Sequence, residues 1–190
     1  MSKQDNLLYF NYLRTISWTG KLYFRYFLYP VLDHHLRGKT LDVGCGLGYL
    51  FNIRRNSMGV DINPYCVDYC KKKGYAAYYF ETAAYSFEDA SFDSVLFNNV
   101  LEHIADPTEI LTEINRILKP GGILVAGIPG IKGFKKDPDH KVYYDEESLA
   151  ETISKYKFKL HYYFHTPFRW DYLNRNLNPY CLFGVFSKEP

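Results

Sequence analysis

Three glycines at alternate positions, Gly44, Gly46 and Gly48, follow directly on the short apolar run Thr40–Val43. Glycine reaches positive φ without steric cost and lets another molecule lie close to the backbone, so the cluster reads as a strand closed by a tight, ligand-facing loop. Further strand and helix signals alternate after it. Ser57–Ile62 is a second strand candidate, after which Asn63 supplies a capping side chain and Pro64 the first position of a helix that lasts to Lys73 and stops at Gly74. Tyr75–Phe80 and Phe92–Phe97 read as third and fourth strands from their aromatic and β-branched content. Ile110, Leu111, Ile114, Ile117 and Leu118 recur at helical spacing until Lys119-Pro120-Gly121-Gly122 ends the run. Ile123–Ile128 makes a fifth strand, a helix opens at Asp145 and runs to Tyr156, and Lys159–Phe164 and Tyr180–Phe186 are late strands flanking an aromatic insert.

Strands alternating with helices predict right-handed crossovers and the α/β class: a doubly wound, mostly parallel, seven-stranded sheet with helices on both faces. The binding crevice of such a sheet lies at the carboxyl ends of its strands. The dinucleotide fingerprint would place a third glycine at position 49, and Tyr49 stands there, which counts against NAD or FAD.

Composition narrows the partners. With 23 Lys+Arg against 21 Asp+Glu the formal charge is +2, too little for the basic stripe that nucleic-acid binding predicts. No apolar run approaches the roughly 20 residues of a membrane span, no secretory leader opens the chain, and Cys45, Cys66, Cys70 and Cys181 show no CxxC pairing, so a cytoplasmic protein with reduced thiols is expected. Cys66 and Cys70 fall one helical turn apart without a histidine or a second cysteine pair, which reads as packing, and no metal site is expected.

The segment Asp42-Val43-Gly44-Cys45-Gly46-Leu47-Gly48 resembles the first motif of the class I S-adenosylmethionine-dependent methyltransferases, and Gly59-Val60-Asp61-Ile62 resembles their second. Phe80-Glu81-Thr82, Asn98-Asn99-Val100-Leu101-Glu102-His103-Ile104-Ala105-Asp106-Pro107 and Ile117-Leu118-Lys119-Pro120-Gly121-Gly122 continue the likeness in order, the middle one in the style of ubiquinone-pathway C-methyltransferases of the small-molecule subgroup. The resemblance implies a Rossmann-like sheet and S-adenosyl-L-methionine as cofactor. It implies Asp42, Gly44, Cys45, Gly46 and Gly48 at the methionyl end, Asp61 on the ribose hydroxyls, Glu81 and Thr82 at the adenine, and Ile62 and Asn98 among the cofactor contacts. A carboxylate can accept two hydrogen bonds from a vicinal diol, so the Asp61 assignment is sound chemistry in its own right. Two departures stand out: only twelve residues separate Gly48 from Asp61, leaving a short first helix, and Glu81 replaces the more frequent aspartate.

Under this reading residues 1–190 form one methyltransferase domain: an N-terminal helical cap or lid over 1–38, a cofactor-binding core over 39–130, and acceptor-side loops with the last strands over 131–190. His103, just after the fourth strand, and His140, in a loop after the fifth, are the candidate bases; a helix-start histidine also caps or packs, and a loop histidine is also simply solvated. Asn63-Pro64-Tyr65 and Asn178-Pro179-Tyr180 are decoys for the tetrad of the amino-methyltransferases, because the matching position after strand four reads Asn98-Asn99-Val100-Leu101. The expected acceptor is a small molecule, with a saccharide or surface-polysaccharide precursor as the guess from general likeness, and the expected assembly is a monomer or homodimer. The competing reading is a non-catalytic module that binds S-adenosylmethionine or its demethylated product.

Overall fold

Short β-branched and aromatic runs become seven strands in the computed structural model: β1 Thr40–Val43, β2 Ser57–Asp61, β3 Ala77–Tyr79, β4 Phe92–Asn98, β5 Leu118–Pro129, β6 Phe158–Thr166 and β7 Cys181–Lys188. The structure describes residues 3–82 and 84–189; Met1, Ser2, Ala83 and Pro190, which fall inside segments read above, lie outside the described residues. The strands form one mixed sheet in the order β3-β2-β1-β4-β5-β7-β6. Pairs β3·β2, β2·β1, β1·β4 and β4·β5 are parallel, whereas β7 runs antiparallel to both β5 and β6.

The helices are α1 Lys3–Arg14, α2 Trp18–Tyr23, α3 Tyr29–His35, α4 Pro64–Lys72, α5 Thr108–Ile117, α6 Ile131–Lys136, α7 Glu146–Ser154 and α8 Asp171–Asn176. Side chains alternate across a strand, so neighbours in sequence serve opposite faces. Val95, Phe97, Leu124 and Ala126 pack with Leu111, Ile114 and Ile117 of α5 and with Leu149 and Ile153 of α7. Leu96 and Val125 point the other way and pack with Leu28, in the π-helical segment Phe24–Leu28 that joins α2 to α3, and with Leu32 of α3. Each such side chain contributes roughly 1.5–3 kcal/mol by leaving water, which makes both faces part of the core.

Several expectations shift. The glycine loop is followed by a single 3₁₀ turn, Leu50–Asn52, and not by an α-helix, because the few residues before Ser57 must also return the chain to the start of β2. The third strand shrinks from Tyr75–Phe80 to Ala77–Tyr79 at the sheet edge. The fifth begins at Leu118, taking in the Lys119-Pro120-Gly121-Gly122 stretch that reads as a stop; the register against β4 slips there, from Phe92↔Leu118 to Ser94↔Ile123, as a bulge that absorbs the proline and glycines. Helices α6 and α8 form where the sequence suggested loop and insert.

The aromatic N-terminal segment is helical, and two polar anchors hold it. Arg54, after the 3₁₀ turn, pairs with Asp33 at 2.6 Å and also donates to the carbonyls of Asp33, Leu36 and Gly38. Asn63 caps α4 through the Tyr65 amide at 3.0 Å and, from the other end of the same side chain, donates to the Asn6 carbonyl of α1 at 2.8 Å. Phe10 of α1 stacks with Tyr65 and meets Tyr69 edge-on. α1 is thereby laid against α4 and over the glycine loop, where Leu13 approaches Gly46.

Candidate functional site

Parallel register brings Val43, Val60 and Phe97 level, so the loops after β1, β2 and β4 emerge side by side at the carboxyl edge. The amides of Gly44 and Cys45 both donate to the Val60 carbonyl, at 2.9 and 3.0 Å. Asp61, half-buried, accepts the Gly46 amide on one carboxylate oxygen and the Asn63 amide on the other, each at 2.8 Å. Burial raises its carboxyl above the ordinary range, against the pull of those two amides. A carboxylate has about four lone-pair sites, so two remain for an outside donor.

Asp42 lies beneath this loop, 3% exposed, with its Oδ2 lacking any protein hydrogen bond. Burial and then the Asp61 charge push it up to about 8. The Oδ1 of Asn98 at the end of β4 is a second buried acceptor without a donor. Tyr29 neighbours both: burial and then the Asp42 charge raise its phenol, and the Asn98 side chain pulls it the other way. Buried acceptors left without partners are costly, so this pair marks the place of an outside donor. Gly44 and Gly46 both take positive φ, but they differ in surroundings: a Cβ on Gly44 would collide with Val100, whereas one on Gly46 would make only an ordinary contact with Leu13 of α1 at 3.7 Å.

Ile62, the residue after Asp61, is 58% exposed beside the crevice. Glu81 and Thr82 sit in the exposed bend after β3, farther out on the rim. Cys45 is buried and its thiol is tied to Cys70, which with burial holds it well above its ordinary value. All four cysteines are free and buried. Gly48, with φ +73°, closes the loop against Cys70, Phe51 and Tyr75.

The two histidines meet. Loop 137–142 is docked by the amides of Lys141 and Val142, which both donate to the Glu102 carbonyl at 2.7 and 3.1 Å. The His103 and His140 rings then lie 4.6 Å apart, centroid to centroid. Burial and His140 hold the His103 imidazole below its ordinary value. His140 Nδ1 lies 2.8 Å from the Phe134 carbonyl, an acceptor only, so that nitrogen carries the proton and Nε2 offers its lone pair in the neutral ring.

Sequence reading missed Glu102 as an individual participant. Its side chain is 1% exposed, and burial pushes it up to about 8. Adjacency to His103 was its one local signal. Tyr9 and Asp137 were missed too: the half-buried Tyr9 phenol on α1 is raised by burial and by the charges of Asp61, Asp137 and Glu102 around it. A cleft of about 440 Å³ opens there between α1 and the loop after α6, lined by Asp5, Leu8, Tyr9, Tyr12, Lys136, Asp137, Pro138 and Asp139. The aromatic insert after β6 stays more exposed, Trp170 at 53%.

Residues 41–126, from the first strand through the fifth, match the family model of a methyltransferase domain. Over that stretch the chain carries a methyltransferase domain of the class I kind. An uncharacterized protein of Methanocaldococcus jannaschii is 34% identical over 101 residues, covering 51% of this chain and 48% of its own length. A ubiquinone biosynthesis O-methyltransferase of Cereibacter sphaeroides is 35% identical over 97 residues, 46% of this chain and 39% of its own. The chain thus spans less than half the length of these curated relatives. Among solved structures, a possible histamine N-methyltransferase of Thermotoga maritima superposes with a TM-score of 0.76 at 20% identity, covering 97% and 98% of the two chains. The 1,6-didemethyltoxoflavin-N1-methyltransferase of Burkholderia thailandensis, solved with its substrate and S-adenosylhomocysteine, gives 0.70 at 19% identity, covering 99% and 87%. At these identities the superpositions establish the fold.

Proposed function

We propose that this chain transfers the methyl group of S-adenosylmethionine to a small molecule held between α1 and the loop after α6. The observation that carries the reading is the pair of buried, donorless acceptors, Asp42 Oδ2 and Asn98 Oδ1, beneath a glycine loop whose Gly46 would tolerate a Cβ with no contact tighter than Leu13 of α1. An ammonium group supplies three donors, the complement of that pair. Asp61 takes the two ribose hydroxyls on its remaining lone pairs, Ile62 gives an apolar surface to the adenine, and Glu81 and Thr82 stand at its outer edge. Gly44, Cys45 and Gly48 shape the loop itself.

The cofactor supplies an activated methyl on a sulfonium, and the chain supplies position, water exclusion and the acceptor side. α1 covers the glycine loop, with Tyr9 toward the crevice, and residues 1–38 act as the cap. Residues 131–190 supply the acceptor loops, and His103 and His140 face the acceptor from the end of β4 and the loop after α6. The chain works as one domain over 1–190, and a saccharide precursor is one candidate in an acceptor screen.

Calorimetry with S-adenosylmethionine, its demethylated product and NAD tests the cofactor site; loss of binding by the first two overturns the reading. Labelled-methyl transfer to metabolite extracts tests the activity. Binding without transfer to any fraction overturns the enzyme and leaves the binding module.

A further inference from the structure

Glu102, His103 and His140 converge at the end of β4 and the loop after α6. We propose that they hold one divalent first-row transition ion, such as Zn²⁺, Mn²⁺ or Fe²⁺, at the acceptor end of the crevice. One ligand atom from each lies within 4.8 Å of the other two.

Three further observations point the same way. First, both carboxylate oxygens of Glu102 are buried without a hydrogen bond, and the side chain is 1% exposed. A carboxylate removed from water with no cation and no donor is costly, whereas coordination gives it a full countercharge. Its ion-pair neighbour among the described residues is His140, at 3.8 Å from Nε2 to Oε1. That is too long for a hydrogen bond. It is close to the spacing of two ligands on one ion, which at coordination distances of about 2.1 Å stand about 3.0–3.5 Å apart.

Second, His140 is set up as ligating histidines are. Its Nδ1 proton goes to the Phe134 carbonyl, which fixes the ring and turns the Nε2 lone pair toward Glu102. The His103 ring stands edge-on to that of His140 with the centroids 4.6 Å apart. Third, the loop that brings His140 is fastened at Glu102 itself, by the amides of Lys141 and Val142 on its carbonyl, so the three ligands are built into one unit before any ion arrives.

Two imidazoles and one carboxylate favour zinc, manganese or iron over magnesium or calcium, which take oxygen ligands. Three protein ligands also leave coordination positions open. That an acceptor oxygen or nitrogen occupies one of them rests on the methyltransferase reading; the ion site itself does not.

The test uses the full chain stripped with chelator and without cofactor. Titration with Co²⁺, followed by its visible absorption, and with Zn²⁺ by calorimetry should give one site per chain. Glu102→Gln, nearly isosteric, and His140→Ala should each weaken binding at least about tenfold, while a His34→Ala/His161→Ala variant, altering histidines on another part of the surface, should not. Thermal unfolding with and without Zn²⁺ gives a second readout, in which the metal raises the Tm of the parent and not of Glu102→Gln. Absence of saturable binding by the parent, or binding that survives Glu102→Gln and His140→Ala or follows His34 and His161, overturns the site. Cofactor calorimetry on the same stripped protein separates this failure from a failure of the methyltransferase reading.

Discussion

The carboxylate of Asp61, the last residue of β2, accepts the amide of Gly46 in the loop after β1 at 2.8 Å. The side chain proposed to bind ribose is therefore also the one that holds the glycine loop in shape. Asp61→Ala removes both functions, and S-adenosylmethionine affinity should fall by about 1.5–3 kcal/mol, or about 10- to 150-fold. Asp61→Asn keeps an acceptor for one amide but faces the other with an NH₂ group, so it should lie between parent and alanine variant. Calorimetry orders the three; an Asp61→Ala variant that binds like the parent ends the ribose assignment.

The looser surroundings of Gly46 and the crowding at Gly44 separate binding from folding. Gly44→Ala drives a methyl into Val100 at positive φ, and should destabilise the chain by more than about 2 kcal/mol. Gly46→Ala carries only the cost of its φ, about 1 kcal/mol, yet its methyl would stand on the loop proposed to receive the cofactor. Urea unfolding paired with cofactor binding should show Gly44→Ala losing mainly stability and Gly46→Ala mainly affinity. The reverse pattern would place the cofactor elsewhere.

Local signals carried the neighbourhood proposed to hold the cofactor. Gly44, Gly46 and Gly48 follow a strand in sequence, Asp61 ends the next, and parallel pairing of β1 and β2 does the rest, so a short-range pattern implied a three-dimensional neighbourhood. The Glu102, His103 and His140 cluster had no such signal. Glu102 and His140 meet only because β5 and α6 carry the chain away and the amides of Lys141 and Val142 fasten it back onto the Glu102 carbonyl, an arrangement set by backbone hydrogen bonds that side-chain spacing does not encode. The same holds for β7. Its apolar run looked like any other strand, and its reversed direction is fixed by the connection from β6 through α8 and by the neighbour it finds on β5. At Lys119-Pro120-Gly121-Gly122 turn residues suggested a stop, but a bulge let the strand incorporate them.

Asp42 ties stability and cofactor binding to pH. Its carboxyl titrates at about 8 in the folded chain because burial and Asp61 disfavour the charge, against about 3.9 when unfolded. Between those values the unfolded chain gives up a proton that the folded chain keeps, so this group's contribution to stability falls as pH rises from about 4 to 8 and is level above that. Asp42→Asn removes the slope. In cofactor-free protein its stability relative to the parent should rise by at least about 1 kcal/mol from pH 5 to pH 8 by urea unfolding, while its cofactor affinity drops. A relative stability that falls over that window would mean Asp42 is charged in the fold.

Asn63 offers the cleanest way to release the lid without breaking the site. Its Oδ1 caps α4 at the Tyr65 amide and its Nδ2 donates to the Asn6 carbonyl of α1. An aspartate in its place would keep the cap, since a carboxylate accepts at a helix N-terminus as well as an amide does, but it would set a negative oxygen against the Asn6 carbonyl. Asn63→Asp should therefore leave α4 intact and speed hydrogen exchange across Lys3–Arg14, with the rest of the sheet unchanged. Asn63→Ala should do both kinds of damage, fraying α4 by about 1 kcal/mol as the cap is lost. If α1 does cover the crevice during methyl transfer, Asn63→Asp should retain cofactor binding within a few-fold and lower turnover. Unchanged exchange in α1 would show that the aromatic contacts of Phe10 with Tyr65 and Tyr69 hold the helix on their own.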